Sequence, residues 1–233
     1  MKQSIQLAGS RPAYFAGLLV FIAATGLLLG LNGKADAFLA LNQFHPFWLN
    51  VFFINYTFMG DGIFAICLIL FLFYLKRKQE AFAQIYAFLL SGLMVQIIKN
   101  LVSAPRPRLF FEPGRYHYFL DQVSLANNSS FPSGHTATAF AIATVFVIML
   151  RDAKWQLPVL LAAILVGYSR IYLAQHFVLD VLIGSLIGGF SGVLAIYLSL
   201  NRAAFGISLK KLVKPGRVTS SVSGTTTVIP TAA

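Results

Sequence analysis

The sequence is poor in charge and poorer still in acid. Only 11% of its 233 residues are charged, and seven Asp and Glu stand against 18 Lys and Arg. A soluble domain carries roughly a quarter charged residues, so that class is excluded. One cysteine, Cys67, can form no intrachain disulfide, and inside an apolar run it serves as a packing residue. No internal repeat is visible, which removes the usual mark of an inverted-repeat transporter. What the chain has instead is grease: 58% hydrophobic residues, 22 of them Phe, and a mean hydropathy of +0.75. The formal net charge of +11 is spread in clusters beside apolar runs and forms no stripe. That placement argues against nucleic acid and for anionic lipid headgroups as the partner.

Apolar runs near the length of about 20 residues that crosses a hydrocarbon core occur six times. They lie near Ala13 to Leu31, Asn55 to Leu75, Ala81 to Val102, Ser133 to Leu150, Gln156 to Leu173 and Phe177 to Leu200. Pro46 to about Ile54 reads as an interfacial or re-entrant piece, and Gly60, Asp61 and Gly62 interrupt the second run. Lys2, Arg11 and Ala35-Asp36-Ala37 imitate a signal peptide, but the apolar stretch is longer than a signal core and reads as a retained helix. Lys2, Arg11, Lys76 to Lys78, Arg151, Lys154, Arg202, Lys210, Lys211, Lys214 and Arg217 fall on one side of a six-span chain. That side is cytoplasmic by the positive-inside rule. The expected fold is all-α, a polytopic membrane helix bundle with six transmembrane helices and both termini cytoplasmic. Residues 1–202 form one membrane domain, and 203–233 a basic and then disordered cytoplasmic tail.

The opposite surface collects the reactive side chains. Lys99 closes the third run, Ser133 to His135 open the fourth, Arg170 closes the fifth and His176 opens the sixth. The loop before Ser133, about 30 residues long, carries Arg106, Arg108 and Arg115 against the positive-inside bias. Arginine offers a planar fork to phosphate oxygens and lysine a point charge, and both are costly near hydrocarbon unless an anion joins them. Ser133 is a preferred helix cap after Pro132, and Gly134 lets a ligand approach the amide end of the fourth helix. His135 beside that end can hand a proton to a leaving oxygen. His176 and Asp180, four apart, share one helix face, where the carboxylate can hold one ring nitrogen and leave the other as nucleophile.

Three groups of residues carry a resemblance. Lys99, six residues, Arg106-Pro107; Pro132-Ser133-Gly134-His135; and Ser169-Arg170, five residues, His176, three residues, Asp180 resemble the three motifs of the type 2 phosphatidic acid phosphatase superfamily, in its membrane-bound lipid phosphatase branch. The likeness spans roughly Pro46 to Leu200, with its core at 99–180. It implies that His176 attacks phosphorus, Asp180 orients it and His135 protonates the leaving group. Lys99, Arg106 and Arg170 would hold the phosphoryl oxygens, helped by the Ser133 and Gly134 backbone. A phosphohistidine would then fall to water, with no metal or other cofactor.

The implied substrate is a membrane lipid with a terminal phosphate or diphosphate: phosphatidic acid, phosphatidylglycerol phosphate, undecaprenyl diphosphate or lipid A phosphate. Tail recognition leaves no motif that chooses among them, and oligomeric state leaves none either. The implied location is the inner or plasma membrane, with the site facing the periplasm or the outside. Arg108, Arg115 and His117 read as interfacial anchors. Asp61 reads as a structural hydrogen bond at its glycine break, and Phe110, Phe111, Tyr116, Tyr118 and Phe119 as an interfacial aromatic belt. A haloperoxidase with the same motifs would be soluble, a phosphotransferase would pass the group to another lipid, and a transporter would have no use for the His176–Asp180 pair.

Overall fold

The computed structural model describes residues 10–149 and 152–212, with 202–212 as backbone alone. Among them every regular element is helical: α1 Pro12–Ala40, α2 Phe47–Tyr56, α3 Gly62–Tyr74, α4 Lys78–Leu101, the single turn α5 Pro107–Phe110, α6 Gly134–Met149, α7 Gln156–Tyr172 and α8 Val178–Leu212. The chain divides into a unit through Asn201 and another from Arg202, and every motif residue belongs to the first. In the described residues α1, α4, α7 with its leading turn, and α8 are long and apolar enough to cross a membrane. α2 and α3, bent by 57°, make a fifth if taken as one span. The fourth expected span, α6, is apolar but has 16 residues, about 24 Å at 1.5 Å per residue. The expected tail lies outside the described residues beyond Leu212, as does Arg151.

Three boundaries differ from the sequence expectation, one of them the end of α8, which runs past Leu200 to Leu212. α1 does not end near Leu31; it continues to Ala40 across a break at Gly33, whose φ of 72° and ψ of −177° suit a residue without a Cβ. Ala37 and Phe38 beyond that break are buried, with Phe38 packed on Phe111, Tyr116 and Phe177. The second run is not one helix beginning at Asn55. α2 passes through Asn55 to Tyr56, a 3₁₀ turn takes Thr57–Gly60, and the chain restarts at Gly62. Asp61 makes the restart possible: it is extended, and its Oδ1 accepts from the Ile63 amide at 2.8 Å, capping α3.

α6 is apolar all round and buried through most of Thr136 to Ile148, as befits the centre of a bundle. It packs on α4 and α7. α8 reaches it almost backbone to backbone. A Cβ on Gly184 would lie 2.7 Å from the Ser133 oxygen, one on Gly188 2.4 Å from the Ala137 oxygen, and one on Gly192 2.5 Å from Thr144 Cβ. In lipid, apolar burial does not drive helices together, so close approach over small residues supplies the contact. The outer helix α1 is tied to this core by buried Tyr14, which pairs through its hydroxyl with Thr144 Oγ1 at 2.9 Å and donates its amide to Gln156 Oε1 at 3.1 Å.

Candidate active site

The corner between α7 and α8 is built by two capping devices, and together they account for the spacing of its motif. At the end of α7 the Ala174 amide donates to the Ile171 oxygen at 2.9 Å and the Gln175 amide to the Arg170 oxygen at 3.0 Å, a Schellman turn with Ala174 in the left-handed region at φ 51°. The His176 amide also donates to the Arg170 oxygen, at 3.1 Å. Five residues between Arg170 and His176 are therefore the last helical turn plus this closure. α8 then starts with Asp180 in its first turn, and Asp180 Oδ2 reaches back to the Phe177 amide at 2.9 Å, as the acid of a capping box does. The same oxygen lies 3.4 Å from His176 Nδ1 and accepts from the Ser130 hydroxyl. Burial lowers the His176 pKa from its ordinary value and so favours the neutral ring, while the neighbouring carboxylate opposes that shift.

The outer loop is stitched to this corner. Backbone bonds from Ala104 to Asn128 at 3.1 Å, Arg106 to Asn127 at 2.9 Å and Ser130 to Ala104 at 3.0 Å lay 104–106 beside 127–130. Lys99, at the end of α4, donates to the Ser129 oxygen at 2.9 Å. Buried Arg106 donates through Nη1 to Gln175 Oε1, while Gln175 donates to the Val123 oxygen. Buried Arg170 donates through Nη1 to Thr57 Oγ1 at 2.7 Å. Each guanidinium also keeps a buried Nε–H with no protein acceptor, which gives both donor capacity for an anion.

The start of α6 completes the cluster. The Ser133 amide donates to the Asp180 oxygen at 3.0 Å, and its side chain accepts from the Thr136 hydroxyl at 2.8 Å and, more distantly, the Thr136 amide at 3.4 Å. Because the Ser133 amide is taken by Asp180, the helix-end donors left for a ligand are those of Gly134 and His135. A Cβ at Gly134 would meet only Val95 Cγ1, at 3.7 Å. His135 Nε2 stands 3.6 Å from Asp61 Oδ2.

The eight residues expected to act together thus converge: Lys99, Arg106, Ser133, Gly134, His135, Arg170, His176 and Asp180. Arg108 and Arg115 do not join them; they pair with Asp121 at 2.7 Å and Asp36 at 3.8 Å. Asp61 makes the expected structural bond and also touches the site. Ser130, Gln175 and Thr57 were not anticipated. Ser130 and Gln175 sit beside motif residues in the chain, but Thr57 is 113 residues from Arg170 and no linear pattern marks it. Beside the Thr57–Gly60 turn an apolar cavity of about 210 Å³ opens between α3, α6 and α7, lined by Met59, Phe64, Leu68, Ile142, Phe146 and Val166 among others.

The sequence profile of the PAP2 superfamily matches residues 80–204, and the chain belongs to that superfamily. It is 28% identical over 174 residues to the undecaprenyl-diphosphatase BcrC of Bacillus subtilis (strain 168), covering 70% of this chain and 84% of that protein. It is 29% identical over 166 residues to a lipid A 4'-phosphatase of Porphyromonas gingivalis, covering 68% of this chain and 69% of that one. The crystal structure of Aquifex aeolicus LpxE superposes with a TM-score of 0.62 at 33% identity, covering 70% of this chain and 94% of that one. The chain is a membrane protein of the PAP2 lipid phosphatase family.

Proposed function

We propose that the protein hydrolyses the terminal phosphate or diphosphate of a membrane lipid through a phosphohistidine and without a metal. The observation that carries this reading is the His176–Asp180–Ser130 chain beside two buried arginines and a helix N-terminus. With Nδ1 turned to Asp180, His176 attacks phosphorus through Nε2. The N–P bond forms as the bond to the leaving oxygen breaks, and His135 gives that oxygen a proton. Asp180 balances the positive charge on the phosphorylated ring. Water then attacks phosphorus, its proton passes to His135, and the N–P bond breaks to release phosphate. Lys99, Arg106, Arg170 and the Gly134 and His135 amides hold the phosphoryl oxygens, whose charge offsets three cations within one another's field.

A lipid substrate is supported by the apolar cavity that opens within the bundle beside the Thr57–Gly60 turn and by the relatives, which act on undecaprenyl diphosphate and lipid A. The proposed topology is six spans, counting the bent pair and α6, with both termini cytoplasmic in the inner or plasma membrane and the site at the outer surface. The test is release of inorganic phosphate by purified protein from phosphatidic acid, phosphatidylglycerol phosphate, undecaprenyl diphosphate and lipid A, beside His176→Ala. Release by the native chain alone supports the reading. Near-normal release by His176→Ala, or a phosphorylated acceptor in place of free phosphate, overturns it.

A further inference from the structure

The bend between α2 and α3 touches the site three times. Thr57 Oγ1 accepts from Arg170 at 2.7 Å. Gly60 presses on α6 so closely that a Cβ there would fall 2.7 Å from the His135 oxygen and 3.0 Å from its Cβ. Asp61 Oδ2 lies 3.6 Å from His135 Nε2. Capping α3 needs only one carboxylate oxygen, and Oδ1 does that work. The second oxygen is therefore free to serve His135, and the clamp at Gly60 fixes where it stands. Asp61 lies before the matched segment 80–204 and outside the three motifs.

The charges around His135 give that oxygen a task. Arg170 from α7, His176 from the α7–α8 corner, Arg106 from the outer loop and Lys99 from α4 all lie within electrostatic reach of its ring. Asp61 is the carboxylate at its side.

We propose that Asp61 is a positioning residue for proton transfer, holding His135 as an imidazolium until it gives its proton to the leaving oxygen. After the transfer the ring is neutral, and the proton taken from the attacking water restores the ion pair. At 3.6 Å the pair is a charge contact, not a hydrogen bond, so the ring stays free to turn toward substrate. The proposal rests on His135 being the general acid.

The test compares two substrates in one variant. Asp61→Asn and Asp61→Ser both keep a capping oxygen for α3 and remove the charge. Hydrolysis of a short-chain alkyl lipid phosphate, whose leaving oxygen needs a proton, should fall about tenfold, a part of the roughly 10²–10⁴-fold that a general acid itself supplies. Hydrolysis of p-nitrophenyl phosphate, whose leaving group needs little help, should fall far less. The alkaline limb of kcat/KM for the alkyl substrate should move to lower pH. Because the readout is a ratio within one preparation, partial misfolding does not imitate it. An unchanged ratio with an unmoved pH profile overturns the role of Asp61, provided His135→Gln shows the split. If His135→Gln shows none, the general-acid reading beneath it fails first.

Discussion

Gly188→Ala puts one methyl group where α6 and α8 meet. Its Cβ would stand 2.4 Å from the Ala137 oxygen, 2.7 Å from Phe140 Cβ and 2.9 Å from the Ala141 amide nitrogen. Two of the three neighbours are backbone, so no rotamer change relieves them. Restoring an ordinary contact of 3.4 Å to the carbonyl means moving the helices apart by about 1 Å. Overpacking of this kind costs about 1–3 kcal/mol of stability. The effect on rate should be larger in proportion, because α6 carries His135 and α8 carries Asp180. A displacement of about 1 Å between reacting groups costs about 10²-fold in kcat. The control is its neighbour: a Cβ at Gly189 meets only Leu18 Cδ2, at 3.4 Å. Purified Gly188→Ala and Gly189→Ala would be compared by thermal unfolding and by phosphate release. Equal activity of the two would refute the claim that this helix contact sets the site geometry.

Two further outcomes bear on chemistry and sidedness. If Lys99, Arg106 and Arg170 carry the phosphoryl charge as proposed, a chelator should leave phosphate release intact while orthovanadate, a five-coordinate phosphoryl mimic, inhibits; loss in chelator restored by one divalent metal would count against the cationic site. Right-side-out vesicles should hydrolyse an added non-permeant short-chain lipid phosphate while a reporter fused after Ala233 stays inside, and activity appearing only on opening the vesicles would invert the topology.

Much of this molecule was readable in one dimension because the relevant physics is local. α4 and α7 were expected at Ala81 to Val102 and Gln156 to Leu173 and occur at Lys78–Leu101 and Gln156–Tyr172, since a long apolar run leaves little choice of element. The His176–Asp180 contact follows from an i, i+4 spacing. The failures are non-local or depend on backbone closure. Asp61 could be seen to interrupt a run, but its charge contact with His135 depends on how α3 docks against α6. The Ser133 amide was offered to phosphate because the sequence does not reveal that the Asp180 carbonyl claims it. Gly184, Gly188 and Gly192 recur every four residues, yet only the fold tells which helix they meet.

The bend at Thr57 to Asp61 changes what counts as the smallest working piece. A fragment starting at residue 80 would hold all three motifs and the whole matched segment. It would lack the hydroxyl on Arg170, the carboxylate beside His135 and Tyr14, whose two buried bonds reach α6 and the start of α7. Such a fragment should not be portable, and a chimera that joins another relative's first spans to this motif core should fail unless it brings an equivalent turn. Inheritance of the reaction and inheritance of the fold that permits it are therefore carried by different stretches of the same chain.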